Sequence, residues 1–419
     1  MYNKVAEQIK NISAPIHEKI VSKFNKIDFD TIDVEEVWEV IYLIMLAFYV
    51  GVNVLTSTMF EIAWPAYFFQ TFRSICVTLV IIRLIIIKEI PKKKFIAMVV
   101  ISFVFLMSHY MSGYGLPIDL LILVLGAYNV DFRKILKTYI AVWSVLLVIT
   151  IIGAMTGLAE NLVYYQGTRV RMALGICYPT DLAAYVAYLM ITFLCVREKY
   201  ISYIEIGGMF ALAIITFYIT DARTDFAVML LLIILVLIVK IFENKVDLLM
   251  KKGNKVVVCI PILFCLISWI VTAAFNETNE FLVRLDQGFL SNRLSLGKNA
   301  IDNYGIRMFG QYIIEHGLGG SLEWPEFYNF IDCSYISIAI KYGIVILVTI
   351  FIFIIVSICR AYKEKRYMIV LAILIVCLQS IMEHHLIQYW YNPLIITVFS
   401  CWRVRDEIKL DDQMIVDLN

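Results

Sequence analysis

The sequence is poor in charged residues and correspondingly rich in apolar ones. Only 17% of its 419 residues are Asp, Glu, Lys or Arg, whereas 61% are hydrophobic, and the mean hydropathy is +0.81. Soluble domains contain about 25% charged and about 45–50% apolar residues, so this composition excludes an ordinary soluble domain. Many apolar runs reach 17 residues or more, enough to cross a hydrocarbon core about 30 Å thick. We therefore predict an all-α polytopic membrane protein.

Sequence motifs for metals, nucleotides and disulfides are also absent. The nine cysteines include no CxxC pair, and eight of them fall in or beside apolar runs, which is typical of small buried hydrophobic side chains. No glycine-rich phosphate loop or nucleotide-binding pattern occurs, which argues against an enzyme that uses sugar nucleotides. The inverted repeats common in transporters are not visible either. We therefore expect no metal, no cofactor and no nucleic-acid partner.

The apolar runs predict about 12 transmembrane helices. Their expected limits are 37–57, 66–87, 95–111, 115–130, 138–157, 174–196, 204–220, 223–242, 256–275, 334–359, 367–382 and 390–402. Residues 276–333 then form one long loop, which we expect to fold as a cap because it is rich in aromatic residues and helix-like stretches. The predicted regions are thus an N-terminal segment (1–36), helices 1–9 (37–275), the cap (276–333), helices 10–12 (334–402) and a tail (403–419).

The distribution of basic residues predicts the orientation. If the N-terminus lies inside, the cytoplasmic stretches hold 26 of the 36 lysines and arginines, as the positive-inside rule requires. An even number of spans returns the C-terminus to the cytoplasm and places the long loop outside. Both termini are then expected to lie inside.

Arginine dominates the basic residues that are predicted to lie outside. Its planar guanidinium makes two parallel hydrogen bonds to a phosphate and keeps its charge at physiological pH. Arg171, Arg223 and Arg293 come from separate segments at one membrane face, so we predict that they clamp a diphosphate. The alternative for Arg223 is an ion pair with Asp221 or Asp225. Weaker candidates for binding the same substrate are Arg169, Arg284, Arg307 and, in the long loop, His316.

Two local patterns sharpen this prediction. Arg293 follows a plausible N-cap, Ser291 or Asn292, and would lie in the first turn of a helix, where free N–H groups make a natural anion site. Gly175 and Pro179 are expected to loosen the start of span six, so that backbone groups can face a cavity.

Acidic residues and histidines at the same face are candidates for handling a proton. Asp181 is expected to face the bundle interior, as the partner of an arginine or as a catalytic group. Asp332, at the start of span ten, either takes a proton from a sugar hydroxyl or caps the helix, a role that Ser334 could also fill. Glu383 and His384 are candidate substrate ligands at the outer end of span eleven. His384 and His385 are adjacent rather than four residues apart on a helix, so they give little support to a metal site.

Several of these segments resemble the bacterial repeat-unit polymerases of O-antigen, capsule and exopolysaccharide and, more distantly, the O-antigen ligases. The resemblance covers residues 165–395 as a pattern. It includes an R…G…P…A opening of a mid-chain span, here beginning at Arg171, and an arginine in the next outer turn, here Arg223 in DARTD. It continues with Arg293 heading a loop helix in SNRLSLGKNAI, with Gly-x-Gly at 317–319, and with DCSY, which contains Asp332 and Tyr335. The motif YWYNP near the last span is also similar.

The resemblance implies polymerisation of lipid-linked oligosaccharides outside the cytoplasm. A chain on undecaprenyl pyrophosphate would pass to the terminal sugar of another lipid-linked unit, with arginines stabilising the leaving pyrophosphate and without metal or nucleotide. Asp332 and the three arginines would be catalytic, and Tyr335 would contact substrate. The implied partners are this lipid-linked oligosaccharide, the bilayer and a chain-length regulator protein, and the implied location is the bacterial plasma membrane.

Three other functions stay open. A flippase for lipid-linked oligosaccharide has a similar span count, but we expect it to carry charges along a whole path and to lack a long cap. A peptidoglycan-type polymerase of the shape-and-division class is also multi-spanning and has an external catalytic loop. A ligase-type transferase is less favoured, because Asp332 stands where ligases have a histidine.

Overall fold

The structure is a computed structural model, and it describes residues 34–87, 90–288, 290–323 and 325–402, with only the backbone of 166 and of 243–255. The predicted tail (403–419) and nearly all of the predicted N-terminal segment lie outside these residues. The chain divides into Met1–Ile41, represented by the start of the first helix, and Tyr42–Asn419. The site and the contacts that build it belong to the second unit.

Helices account for most of the described residues. In chain order they are α1 (Val34–Thr56), α2 (Phe68–Ile86), α3 (Lys92–Ser112), α4 (Leu116–Gly126), α5 (Phe132–Thr156), α6 (Pro179–Arg197), α7 (Tyr203–Thr220), α8 (Arg223–Ile241), α9 (Glu243–Ala273), α10 (Glu280–Gln287), α11 (Arg293–Tyr304), α12 (Ser334–Lys341), α13 (Ile344–Lys363) and α14 (Tyr367–Gln379). Between α5 and α6, β1 (Val163–Gln166) and β2 (Arg169–Met172) form an antiparallel hairpin. Short 3₁₀ segments cover Glu198–Tyr200 and Pro393–Phe399.

Within the described residues, nine helical stretches are long and apolar enough to cross a membrane. They are α1, α2, α3, α5, Pro179–Tyr200, α7, α8, Val256–Ala273 and α13. Two further apolar helices, α4 and α14, are shorter. This agrees with an all-α multi-pass membrane protein, as predicted, with nine rather than twelve full-length candidates in the part of the chain that is described.

Three predicted spans lack a single long helix. The apolar run 115–130 contains only the 11-residue α4, the run 367–382 contains only the 13-residue α14, and the run 390–402 contains only a 3₁₀ segment. A fourth run, 334–359, is split into α12 and the long α13. Hydropathy measures apolar composition, and it does not register where the backbone turns.

Two backbone segments are in close contact at the break between α12 and α13. Gly343 has φ +98 at the break, and an added Cβ would lie 2.3 Å from the carbonyl oxygen of Met308. Gly310, with φ +86, faces the same break from the other segment, and a Cβ there would lie 2.2 Å from the carbonyl oxygen of Lys341. The amide of Gln311 donates to that carbonyl at 3.1 Å. The segment before α12 is thereby fixed to the bundle.

The start of α6 differs from the prediction. Pro179 is the first residue of the helix, where its missing N–H leaves no hydrogen bond unmade, so it starts the helix rather than loosening it. Gly175, with φ +82, lies in the turn before the helix. Its carbonyl accepts a hydrogen bond from the amide of Met59 at 2.7 Å.

The two ends of the bundle are chemically different. At one end, α6, α8 and α12 begin, and α7, α9 and α14 end. The hairpin, the α7–α8 turn and the segment after α14 therefore lie together at this end. At the opposite end, the Glu198 carboxylate accepts hydrogen bonds from Arg366 at 2.8 and 3.0 Å and from Arg133 at 3.3 Å. These ion pairs join the end of α6 to the starts of α14 and α5.

We expect Gly343→Ala to destabilise the protein. A left-handed backbone costs a residue with a Cβ about 1–2 kcal/mol, and the added methyl group would collide with residues 308–310. Thermal unfolding of the purified protein in detergent measures the effect. Gly207→Ala is the matched control, because a Cβ at that position in α7 has no atom within 4 Å. Equal melting temperatures for the two variants would mean that the break accommodates a side chain, contrary to the geometry of the contact.

Candidate functional site

A polar cavity of about 1110 Å³ opens at the end of the bundle where the hairpin lies. This is slightly above the usual range for ligand sites, about 300–1,000 Å³. Four arginines and four carboxylates line it: Arg169, Arg171, Arg223, Arg293, Asp181, Asp221, Asp332 and Glu383. The cavity therefore brings together the three arginines that were predicted to act as a clamp.

The hairpin presents two arginines to the cavity. Arg169 and Arg171 are two residues apart on β2, so their side chains point to the same face. Arg169 donates through Nε to the carboxylate of Asp221 and through Nη2 to its carbonyl at 2.8 Å. Arg171 donates to the carbonyl of Thr220 at 3.0 Å, and its guanidinium lies 5.5 Å from the ring centre of Tyr178. Among the described residues, no carboxylate oxygen lies within 4 Å of the Arg171 guanidinium, so its charge faces the cavity without an acidic partner.

Arg223 is the first residue of α8 and the most exposed of the cavity arginines. Its side chain is 69% exposed, and Nε lies 3.7 Å from Asp221. Burial raises the pKa of Asp221, but the hydrogen bond and charge of Arg169, together with the charge of Arg223, outweigh this and hold its pKa below the usual value. Of the two predicted ion-pair partners, Asp225 instead accepts from Gln379 at 2.8 Å. Most of the Arg223 side chain is therefore accessible to a ligand.

Arg293 is held much more tightly. It donates to the carbonyl of Met382 at 2.7 Å and to Glu383 at 3.2 Å, and Nε lies 3.7 Å from Asp332. Asn292 occupies the N-cap position of α11, and Arg293 is the first residue of the helix, as predicted. The Asn292 side chain makes no capping bond, however, and the carboxylate of Asp286 accepts from the amides of residues 294 and 295. The chain's own carboxylate already fills the helix terminus.

Asp332 does not cap α12. The N-cap position belongs to Cys333, which makes no side-chain capping bond, and the hydroxyl of Ser334 donates to the carbonyl of Glu383 at 2.5 Å. Asp332 faces Arg293 instead. Burial raises the pKa of Asp332 above its usual value, against the lowering effect of the neighbouring Arg293.

Asp181, Glu383, His384 and His385 meet behind Arg293. The His385 Nε2 atom lies 3.8 Å from Glu383 and 3.9 Å from Asp181. Burial lowers the pKa of His385 to about 4, and burial together with the charge of His385 places the pKa of His384 well below its usual value. Burial and the charge of Asp225 raise the pKa of Glu383, although Arg293 opposes this. Both histidines are therefore neutral at pH 7.

Four predicted substrate ligands lie elsewhere. Arg284 is exposed on α10 and pairs with Glu280 at 3.0 Å, while Arg307 and His316 are exposed and do not line the cavity. Tyr335 is fully buried and donates to the carbonyl of Cys377 at 2.5 Å, so it belongs to the packing between α12 and α14. These residues are close in sequence to residues of the site, but the fold places their side chains outside the cavity.

Three aromatic residues of the cavity were missed. Tyr178, Tyr328 and Phe330 line the walls between the arginines and the carboxylates. Aromatic faces of this kind contribute a large apolar contact, with a polar group at the edge of each tyrosine. The signal was available in the aromatic residues of the long loop and in the tyrosine before Pro179, but sequence alone does not show which rings face a cavity.

The chain as a whole was compared with known proteins. Comparison with models of protein families, with curated proteins and with solved structures yields no match. Its function is therefore argued from the cavity itself, in which four arginines, four carboxylates and three aromatic rings converge at one end of a membrane bundle.

Proposed function

We propose that this protein is a membrane-embedded glycosyltransferase that polymerises lipid-linked oligosaccharide repeat units. The observation that carries the proposal is that Arg171, Arg223 and Arg293, from three distant segments, line one cavity together with a buried carboxylate, Asp332. The proposed donor is an oligosaccharide on a polyprenyl diphosphate, and the acceptor is a hydroxyl of another lipid-linked unit. The resemblance of residues 165–395 to repeat-unit polymerases implies the same reaction.

Arg171 and Arg223 are placed to stabilise the leaving group. When the bond between the sugar carbon and the diphosphate oxygen breaks, that oxygen keeps the electron pair and negative charge develops on the diphosphate. Guanidinium groups that already face this position stabilise the charge without rearrangement, and this is the largest contribution to many enzymatic reactions. Arg171 and Arg223 supply such groups, because neither is fully occupied by a carboxylate of the chain.

Asp332 is the proposed general base for the acceptor hydroxyl. In the proposed step, the acceptor hydroxyl attacks the sugar carbon, and its proton passes to the Asp332 carboxylate. The raised pKa of Asp332 brings it closer to the operating pH, which favours a general base. Arg293 holds this carboxylate in place, and Tyr178, Tyr328 and Phe330 offer apolar faces for sugar rings.

A closed inner wall favours a transferase over a flippase. Behind the carboxylates, four rings are packed against one another. The ring centres of His385 and Tyr391 are 3.8 Å apart, those of Tyr391 and Tyr185 are 3.9 Å apart, and those of Tyr185 and Trp143 are 3.6 Å apart. These rings are buried. A flippase needs a path for the oligosaccharide to the opposite face, and these packed rings stand on the inner side of the cavity, whereas a transferase needs only the open side.

The proposal predicts that the planar guanidinium of Arg171 and that of Arg223 are both needed. Arg171→Lys and Arg223→Lys should each slow polymerisation by roughly 10- to 100-fold, because hydrogen bonds to charged groups are worth about 1.5–3 kcal/mol and a point charge loses one of the pair. The measurement is the ladder of surface polysaccharide lengths in a deletion strain complemented with each variant. Lys298→Ala on α11, which removes only an exposed pair with Asp302, is the control. An unchanged ladder in both lysine variants would refute the clamp.

A separate prediction concerns Asp332. Asp332→Asn should reduce the rate by about 10²- to 10⁴-fold, as expected for loss of a general base, while single lipid-linked units accumulate outside the cytoplasm. Asp302→Asn is a matched control on the same segment, because its side chain is 54% exposed and does not line the cavity. Full activity of Asp332→Asn would exclude Asp332 as the base.

The proposal also requires the cavity to face outside the cytoplasm, as the basic residues at the opposite end of the bundle suggest. Cysteine introduced at the exposed Glu280 should react with a membrane-impermeant maleimide in intact cells, whereas cysteine at the exposed Lys199 should react only after lysis. The parent chain gives the background from its own cysteines. The reverse pattern would place the cavity inside and overturn the proposed function.

A further inference from the structure

The segment after α14 contains three side chains whose metal-binding atoms lie close together. One such atom from each of Glu383, His384 and His385 lies within 4.8 Å of the others. The segment is formed of turns rather than helix. The usual spacing rule, which asks for histidines one helical turn apart, therefore does not apply to this adjacent pair.

Two nitrogen atoms in this cluster are buried without a partner. The His384 Nδ1 and His385 Nε2 atoms make no hydrogen bond within the described structure. Such atoms are uncommon, because an unsatisfied buried polar group costs about 1–3 kcal/mol. His385 Nδ1 lies 2.8 Å from the side-chain oxygen of Gln388, which can only accept, so Nδ1 carries the proton and Nε2 keeps its lone pair. Histidines that bind metals are oriented by a hydrogen bond of this kind.

The spacing of the neighbouring carboxylates fits a shared ion. His385 Nε2 is 3.8 Å from Glu383 Oε2 and 3.9 Å from Asp181 Oδ1. These distances are too long for hydrogen bonds, but ligands that each lie about 2.0–2.2 Å from one ion are separated by roughly 3–4 Å.

The charged side chains around the cluster also favour a bound cation. Asp181, Asp332 and Glu383 line this part of the cavity, and among the described residues Arg293 is the one arginine or lysine within 4 Å of any of them. Buried charges are normally paired or bound to a metal. A bound cation would favour the ionised form of these carboxylates and give them a second positive partner.

We propose that Glu383, His384 and His385 bind one divalent transition-metal ion, with Asp181 beside it. Two imidazole nitrogens and a carboxylate are the ligand set of open zinc sites, which keep a position for water or substrate. Because Glu383 and His384 also line the cavity, that position faces the ligand space. This revises the expectation from the sequence that the protein has no metal site, and it does not depend on the proposed transferase activity.

The test uses the full chain, purified in detergent without a polyhistidine tag, stripped with EDTA and titrated with Co²⁺ as the probe. We expect one Co²⁺ per chain by elemental analysis, with visible absorption bands from a site with nitrogen ligands. His385→Gln and His384→Gln should each weaken binding at least tenfold, whereas His316→Gln, at an exposed histidine outside the cluster, should not. Zn²⁺ should displace the Co²⁺.

Melting temperatures of the metal-free variants identify any substitution that fails to fold. If one histidine variant fails, the other gives the answer, because each removes a different proposed ligand. Absence of Co²⁺ binding by the parent protein, or binding unchanged in the folded histidine variants, would overturn the proposal. Polymer formation by stripped protein in EDTA would leave the transferase function standing without a metal requirement, so the two proposals fail independently.

Discussion

The arrangement of this site depends on the ion pairs that Arg293 makes with Asp332 and Glu383. The three residues come from the start of α11, the segment before α12 and the turn after α14, and they are largely buried. Charges removed from water need partners, and breaking a buried pair from one side costs about 3–5 kcal/mol. The pair with Glu383 therefore joins the long segment between α9 and α12 to the bundle, and the pair with Asp332 joins the start of α11 to the end of that segment.

The arginines of the cavity divide into two kinds on the same physical grounds. Arg293 and Arg169 are engaged by carboxylates of the chain and fix the positions of separate segments. Arg171 is positioned by a carbonyl and an aromatic ring, and Arg223 only touches the edge of Asp221. The second kind keeps charge and hydrogen-bonding capacity for a ligand. In the proposed function, the clamp of three equivalent arginines that the sequence suggested becomes a pair of ligand-binding arginines, with Arg293 as a structural support.

The sequence predicted more of the fold class than of the site. The apolar runs correctly indicated a multi-pass helical protein, because burial in lipid requires long apolar helices. They could not show that Gly343 breaks span ten, since a backbone turn between two apolar helices leaves hydropathy unchanged. The arginines predicted to lie outside stood out by residue type and position, and four of the six share a cavity. Other features depend on contacts between distant segments, which no local sequence pattern encodes. Examples are the capping of α11 by Asp286, the unpaired nitrogen of His385 and the exposure of His316.

The central claim is that the cavity transfers sugar from a polyprenyl diphosphate, and purified protein in detergent tests it without any membrane barrier. Incubation with polyprenyl-diphosphate-linked oligosaccharide should yield longer saccharides and one released polyprenyl diphosphate for each new linkage. Neither product should form with Arg171→Ala. If the detergent-solubilised protein forms no linkage while the same protein in sealed vesicles moves the units across the bilayer, the protein is a transporter and the proposed transferase function is wrong.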